Sequence, residues 1–102
     1  MIDSQEIQNF WRLKIEKFPQ IRNSIILQTL VMTDFVIKNF RNGITQFDLY
    51  QEVAKCFRII GGSRTNAFGD TRSITESFNF LLSRGAIKHK VINQFNVFYP
   101  VK

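Results

Sequence analysis

Residues 77–100 read SFNFLLSRGAIKHKVINQFNVFYP, and the spacing of their apolar residues changes at Gly85. Before Gly85 the apolar residues recur every three or four positions, which is typical of a helix with one buried face. After Gly85 they alternate with polar residues on both sides of Asn93-Gln94, which predicts a β-hairpin with a two-residue turn. The stretch therefore predicts a helix that ends at a glycine, followed by a hairpin that ends at Pro100.

Three more helices are predicted upstream, and their limits come from capping residues. Asp3 or Ser4 caps the first helix and Pro19 stops it. The second runs from about Ser24 to Phe40, and its apolar residues lie all the way round, which predicts burial on most sides. The third follows the capping pattern of residues 45–48 and continues to about Arg58.

The third and fourth helices each carry a predicted buried stripe. In the third helix the stripe leaves out Leu49 and Cys56 and comprises Phe47, Tyr50, Val53, Ala54 and Phe57. A capping box, Ser73-Ile-Thr-Glu76, opens the fourth helix, which ends near Arg84. The fold class is therefore mainly α with a C-terminal β-hairpin (α+β).

The length of 102 residues predicts a single domain with an added N-terminal element. Residues 1–23 form that element, a helix for packing or dimerisation, and residues 24–102 form the rest. One face of the first helix supplies the predicted dimer interface, namely Ile7, Phe10, Trp11, Ile15 and Phe18.

Positive charge is concentrated in the second half of the chain. The formal net charge is +6, and residues 58–102 hold seven basic and two acidic side chains, which gives +5. This asymmetry suggests an anionic partner, most often nucleic acid, and an inert basic surface is the alternative reading of the same charge.

Several function classes conflict with the composition. Cys56 is the only cysteine and His89 the only histidine, so no disulfide, multi-thiolate metal site or site with two histidines is predicted. We expect no enzyme, no cofactor and no bound metal. The first 20 residues contain both acidic and basic side chains, unlike a signal peptide. No apolar run is long enough to span a bilayer. A cytoplasmic protein without a membrane contact is expected.

The order of helices, the extended piece at residues 43–45 and the ending in residues 77–100 resemble the winged-helix superfamily of helix-turn-helix domains. The resemblance covers residues 24–101. It implies that the helix before the hairpin enters the DNA major groove and that the hairpin, the wing, contacts the backbone or minor groove. The segment of residues 61–72 is longer than the turn usual in this superfamily.

The resemblance implies a set of DNA-contacting residues. On the fourth helix, Thr75, Asn79 and Ser83 would face base edges, with Thr71 and Ser73 at its start. Arginines and hairpin residues would contact phosphates or bases. The full predicted set is Arg64, Asn66, Thr71, Arg72, Ser73, Thr75, Asn79, Ser83, Arg84, Lys88, Lys90, Asn93 and Gln94.

Four observations favour other readings of the same residues. The polar residues of the fourth helix also suit any solvated helix face, and the hairpin lysines also protect an edge strand from pairing. Glu76 would repel phosphate, and an exposed Phe80 would favour a protein contact.

Two functions are therefore expected. The first is a small homodimeric protein that binds double-stranded DNA, either a transcriptional regulator or a protein that handles plasmid or phage DNA. The alternative is a winged-helix interaction module, such as an accessory subunit or a phage-encoded anti-defence inhibitor. Its partner would be an acidic or nucleic-acid-binding protein. The many Phe, Ile and Asn residues are typical of an AT-rich prokaryotic or phage genome.

Overall fold

Four helices and three strands are described by the structure, a computed structural model that covers residues 2–61 and 71–101. The helices are Ser4–Lys17 (α1), Ile25–Lys38 (α2), Gln46–Gly61 (α3) and Thr71–Ser83 (α4), with a 3-10 turn at Pro19–Asn23 between the first two. The strands are Ile44–Thr45 (β1), Ile87–Ile92 (β2) and Phe95–Pro100 (β3). The predicted fold class, mainly α with a C-terminal hairpin, is confirmed.

Helix α1 begins and ends where the capping residues predict. The Asp3 carboxylate accepts from the Glu6 N–H at 2.8 Å and the Glu6 side chain accepts from the Asp3 N–H at 3.2 Å, a complete capping box. Ile7 is fully buried, and the ring of Phe10 stacks on Phe35 of α2 with centroids 4.0 Å apart. The helix therefore packs on its own chain.

Helix α2 is less buried than its composition predicts. Ser24 caps it as expected, accepting from the Leu27 N–H at 3.2 Å. The second half of the helix carries the buried residues Met32, Val36 and Ile37, whereas Ile26 in its first turn is 76% exposed. The prediction of burial on most sides is wrong for that first turn.

The buried stripe of α3 differs from the predicted one. Thr45 caps the helix by accepting from the Asp48 N–H at 3.2 Å. Leu49 and Cys56 are fully buried, while Phe47 is 65% exposed. At ~100° per residue the buried face is turned by about 75° from the prediction. The reason is that α3 leaves directly from β1, so the sheet fixes which side meets the core.

Helix α4 starts earlier than predicted and ends as predicted. It begins at Thr71, so Ser73 lies inside its first turn and the predicted capping box at residues 73–76 is wrong. At its end the Gly85 N–H donates to the Leu82 carbonyl at 3.0 Å and the Ala86 N–H donates to the Leu81 carbonyl at 2.9 Å. This is a Schellman motif, and Gly85 takes the left-handed φ of +73° that the motif requires.

The hairpin of β2 and β3 turns at Asn93-Gln94, where both residues have positive φ, 51° and 70°, as in a type I′ turn. The sheet order is β1-β3-β2, all antiparallel, with His89 opposite Phe98. Phe98 is buried against Phe78 of α4, with ring centroids 4.5 Å apart. One face of the hairpin is therefore closed by the helices.

Candidate nucleic-acid interface

The outward face of α4 carries part of the predicted contact set. Arg72, Glu76, Asn79 and Ser83 are exposed and, at ~100° per residue, fall within about 60° on the helix circumference. The Ser83 hydroxyl donates to the Phe80 carbonyl at 2.7 Å, so its proton is already used within the helix. We call these four residues the α4 stripe; its net charge is zero because Glu76 balances Arg72.

The other predicted residues of α4 lie beside this stripe. Thr71 is exposed at the first position of the helix, whereas Ser73 and Thr75 are half-buried on its two flanks. Ser73 turns toward α2, and Thr75 turns toward α3, where its Oγ1 lies 2.7 Å from the Oη of Tyr50. Thr75 therefore does not share the open face on which Asn79 lies.

The hairpin separates its lysines from α4. Side chains alternate between the two faces of a strand, and His89 shares the face of Phe98, which packs on α4. Lys88 and Lys90 consequently project from the opposite face of the sheet, and the Lys90 ammonium lies 5.5 Å from the ring centroid of Tyr99. Asn93 and Gln94 are exposed at the turn. The remaining two predicted contacts, Arg64 and Asn66, lie outside the described residues.

Ion pairs are distributed unevenly along the part of the chain that the structure describes. Acidic residues of the first half pair locally, as Glu16 with Arg12 (3.5 Å), Asp34 with Lys38 (2.9 Å) and Glu52 with Lys55 (3.0 Å). None of the ion pairs formed among residues 2–61 and 71–101 involves Arg58, Arg84, Lys88 or Lys90. The Arg84 guanidinium instead stacks 5.6 Å from the ring centroid of Phe80. Among the carboxylates that the structure describes, none therefore pairs with the positive charge at these four positions.

A chain of side-chain hydrogen bonds crosses from the hairpin to α4. His89 Nε2 contacts Asn96 Oδ1 at 2.9 Å, and Asn96 Nδ2 donates to Gln46 Oε1 at 2.8 Å. Gln46 Nε2 donates to Tyr50 Oη at 2.8 Å, and Tyr50 Oη meets Thr75 Oγ1 at 2.7 Å. We call these five residues the polar relay. Only Thr75 of the five was in the predicted site, because the others belong to elements far apart in sequence.

Tyr50 also lines a cleft on α3. The cleft has a volume of about 360 Å³, and its other lining residues are Gln51, Ala54 and Arg58. Arg58 is exposed and Gln51 offers an amide, so the cleft presents one cation and neutral polar groups. A single phosphate oxygen is the kind of ligand that such a set can accept. Arg58 was absent from the predicted site because no local pattern marked it.

A second, apolar groove lies between α2 and α4. Its volume is about 350 Å³, and it is lined by Ile26, Leu27, Leu30, Ser73, Glu76, Ser77 and Phe80. Phe80 is 48% exposed at its edge. The exposure of Phe80 that would favour a protein contact is therefore present.

The predicted dimer face of α1 is largely used within the chain. Ile7 is fully buried, and Phe10 and Trp11 pack against the core. Ile15 is half-buried and Phe18 is 40% exposed, so only this end of the face remains accessible. Packing and dimerisation were the two roles expected for the first helix. Packing within the chain accounts for the buried residues of this face, and the dimer stays a prediction.

Cys56 is buried in the core of the fold. Burial raises the pKa of the Cys56 thiol to about 12, with Lys55 lowering it and Glu52 raising it to smaller extents. A buried neutral thiol is neither a nucleophile nor a metal ligand. Across residues 2–61 and 71–101, no three His, Cys, Asp or Glu side chains come together as a metal site. Nor does any helix in these ranges have the length and apolar character needed to cross a membrane.

Comparison with protein-family models, curated proteins and solved structures found no match for this chain. The functional assignment therefore rests on the residues and geometry described above.

Proposed function

We propose that the chain is a cytoplasmic DNA-binding protein of the winged-helix type that regulates transcription or handles plasmid or phage DNA. The observation that carries the proposal is the group of unpaired cations in the second half of the chain, Arg58, Arg84, Lys88 and Lys90. Cations that lack carboxylate partners can neutralise phosphates without first breaking an ion pair. Supporting it, a short strand lies between α2 and α3, and α4 lies directly before the hairpin, which is the order of elements on which the resemblance rests.

In this proposal the DNA contacts are of two kinds, those to base edges and those to the phosphate backbone. Arg72 and Asn79 on the α4 stripe would face base edges, since Arg pairs well with guanine and Asn with adenine. Arg84, which follows the last residue of α4, and Arg58 on α3 would contact phosphates, which set position but not sequence. Lys88, Lys90 and the Asn93-Gln94 turn would contact the backbone beside the helix. Glu76 within the stripe repels phosphate and weakens this binding.

The test is a titration of labelled duplex DNA at several salt concentrations. Counterion release makes log K fall linearly with log salt, with a slope of about −0.9 for each phosphate neutralised. Four unpaired cations therefore predict a slope of at least about −3.5 if each meets one phosphate. Absence of duplex binding at low salt contradicts the proposal.

Substitutions locate the binding face. Arg72→Ala should weaken binding, and Lys88→Ala/Lys90→Ala should reduce the magnitude of the salt slope by about 2. The matched control is Arg12→Ala on α1, which removes an arginine that is paired with Glu16 and distant in sequence from the proposed face. If Arg12→Ala weakens binding as much as Arg72→Ala, only the net charge matters and the assigned face is wrong.

The homodimer is a separate part of the proposal. The accessible apolar residues that could support it are Phe18 on the α1 face and Ile26 at the start of α2. Sedimentation equilibrium of the protein with and without duplex measures it directly. A monomer under both conditions removes the dimer without removing DNA binding.

A protein-interaction module is the second candidate, and the apolar groove between α2 and α4 favours it. The partner would be an acidic protein that places apolar side chains in the groove, since the surrounding half of this chain carries +5. Ile26 is the most exposed apolar residue of the lining, so Ile26→Asp should abolish such an interaction. A nuclease-treated pull-down that recovers the same stoichiometric acidic protein with the wild type and with Ile26→Asp contradicts this candidate.

A further inference from the structure

The polar relay has a direction, which follows from the chemistry of its two amides. Asn96 and Gln46 each donate with one end and accept with the other. The His89 Nε2–H donates to Asn96, Asn96 donates to Gln46, and Gln46 donates to the Oη of Tyr50. Tyr50 accepts from Gln46 and keeps its own O–H, which can donate to Thr75 Oγ1, 2.7 Å away, although either hydroxyl of this pair fits as the donor. Thr75 is then the acceptor at the end of the relay.

This direction determines what the Thr75 hydroxyl can do. A threonine inside a helix ordinarily turns its hydroxyl back to the carbonyl four residues earlier, which uses up its proton. The Thr75 Oγ1 lies instead on the side of α3, 2.7 Å from Tyr50 Oη, where Tyr50 can donate to it. The proton of Thr75 thus remains available beside the cleft that Tyr50 lines with Gln51 and Arg58.

We propose that the polar relay positions the Thr75 hydroxyl as a hydrogen-bond donor to a phosphate oxygen of bound DNA, with Arg58 as the neighbouring cation. This inference rests on the proposed function and assigns a role to residues that the α4 stripe does not include. Tyr50, Gln46, Asn96 and His89 act as positioning residues through Thr75. The relay also links the hairpin to α4, because its first two members belong to β2 and β3.

Duplex affinity measured at one fixed low salt concentration tests the role of the hydroxyl. Thr75→Val should weaken binding about tenfold, the usual effect of losing a hydrogen bond to a charged group. Thr75→Ser keeps the hydroxyl and should bind like the wild type. Equal affinities for Thr75→Val and the wild type, or equally weak binding by Thr75→Ser and Thr75→Val, would overturn the inference.

The positioning role is tested at Tyr50. Tyr50→Phe removes Oη but keeps the ring, and it should weaken binding about as much as Thr75→Val, about tenfold. The double variant should lose no more than either single variant, because both remove the same contact. Tyr99→Phe is the matched control, since Tyr99 is another half-buried tyrosine on the opposite face of the sheet. Wild-type binding by Tyr50→Phe, or additive losses in the double variant, would show that Thr75 acts without the relay.

A measurement without DNA separates the relay from the proposed function. A hydrogen bond from Nε2 to Asn96 favours the Nε2–H tautomer of His89, which two-bond ¹H–¹⁵N spectra of the ring identify. Asn96→Leu should reduce that preference in the free protein. If the wild type shows the tautomer but binds no duplex, the proposed function fails and the relay stands. If the wild type binds duplex without the tautomer preference, the relay fails alone.

Discussion

Gly43 connects α2 to β1 in a position that only glycine fits. Its φ is +100°, in the left-handed region, and an added Cβ would lie 2.7 Å from Tyr99 Cε2 and 2.7 Å from Val97 Cγ1. For Gly43→Ala the left-handed backbone costs about 1–2 kcal/mol, and the steric overlap with β3 adds about 1–3 kcal/mol. We therefore expect a loss of about 3 kcal/mol in the free energy of unfolding, equivalent to a fall in Tm of about 12–24 °C.

Substitutions at two other glycines separate the cost of the left-handed backbone from the cost of the steric overlap. Gly85 also has positive φ, +73°, but a Cβ there would meet no atom within 4 Å, so Gly85→Ala should cost only the backbone part, about 1–2 kcal/mol. Gly61 ends α3 with open space around it, and Gly61→Ala should be neutral or stabilising by up to about 1 kcal/mol. Urea denaturation of the three variants measures all three values. Equal losses in the free energy of unfolding for Gly43→Ala and Gly85→Ala would refute the steric overlap at Gly43. A loss for Gly61→Ala as large as for Gly43→Ala would refute both the steric and the backbone explanation.

Three further predictions concern the hairpin turn, the buried thiol and the acidic residue of the α4 stripe. Gln94 has φ of +70°, so Gln94→Gly should raise the free energy of unfolding by about 0.5–1 kcal/mol, and an unchanged or lower Tm would contradict this. Because burial raises the Cys56 pKa from 9.0 to about 12, the native state loses stability as pH rises through this range, and Cys56→Ala should flatten the denaturation profile there. At pH 8, iodoacetamide should label Cys56 only at the unfolding rate; labelling as fast as a free thiol would show that it is accessible. Glu76→Gln should tighten duplex binding several-fold at low salt and less at high salt, and unchanged affinity at low salt would place the α4 stripe away from the phosphates.

Elements set by local chemistry were predictable from the sequence. The end of α4 follows from Gly85, and the hairpin follows from the alternation around Asn93-Gln94, because both signals lie within a few residues of the feature they determine. The buried face of α3 was not predictable in this way. Two apolar stripes compete on that helix, one with Leu49 and Cys56 and one with Phe47, and packing against the rest of the fold selects the first.

The candidate site shows the same limit. Helical spacing placed Asn79 and Ser83 on the exposed stripe of α4 from the sequence, whereas Arg72 joins the stripe only because the helix starts at Thr71, before the predicted cap. The polar relay could not be found, because its five residues belong to α3, α4, β2 and β3 and meet only in the folded chain. Neutral polar residues also give weak sequence signals, since each suits an ordinary solvated position equally well.

Residues on the two faces of the hairpin have different surroundings. Strand alternation places Asn96 and His89 on the side of Phe98, where they join the relay to α3 and α4. The same alternation places Lys88 and Lys90 on the other side, together with Tyr99, whose ring centroid lies 5.5 Å from the Lys90 ammonium. DNA lying along α4 would meet the relay side of the hairpin first, so the lysines could contact it only from the rim or through the turn. The proposed function therefore depends more on Arg72 and on Arg58 in the α3 cleft than on the hairpin lysines. Arg58→Ala should accordingly weaken duplex binding more than Lys88→Ala, and the reverse order would place the DNA on the outer face of the sheet.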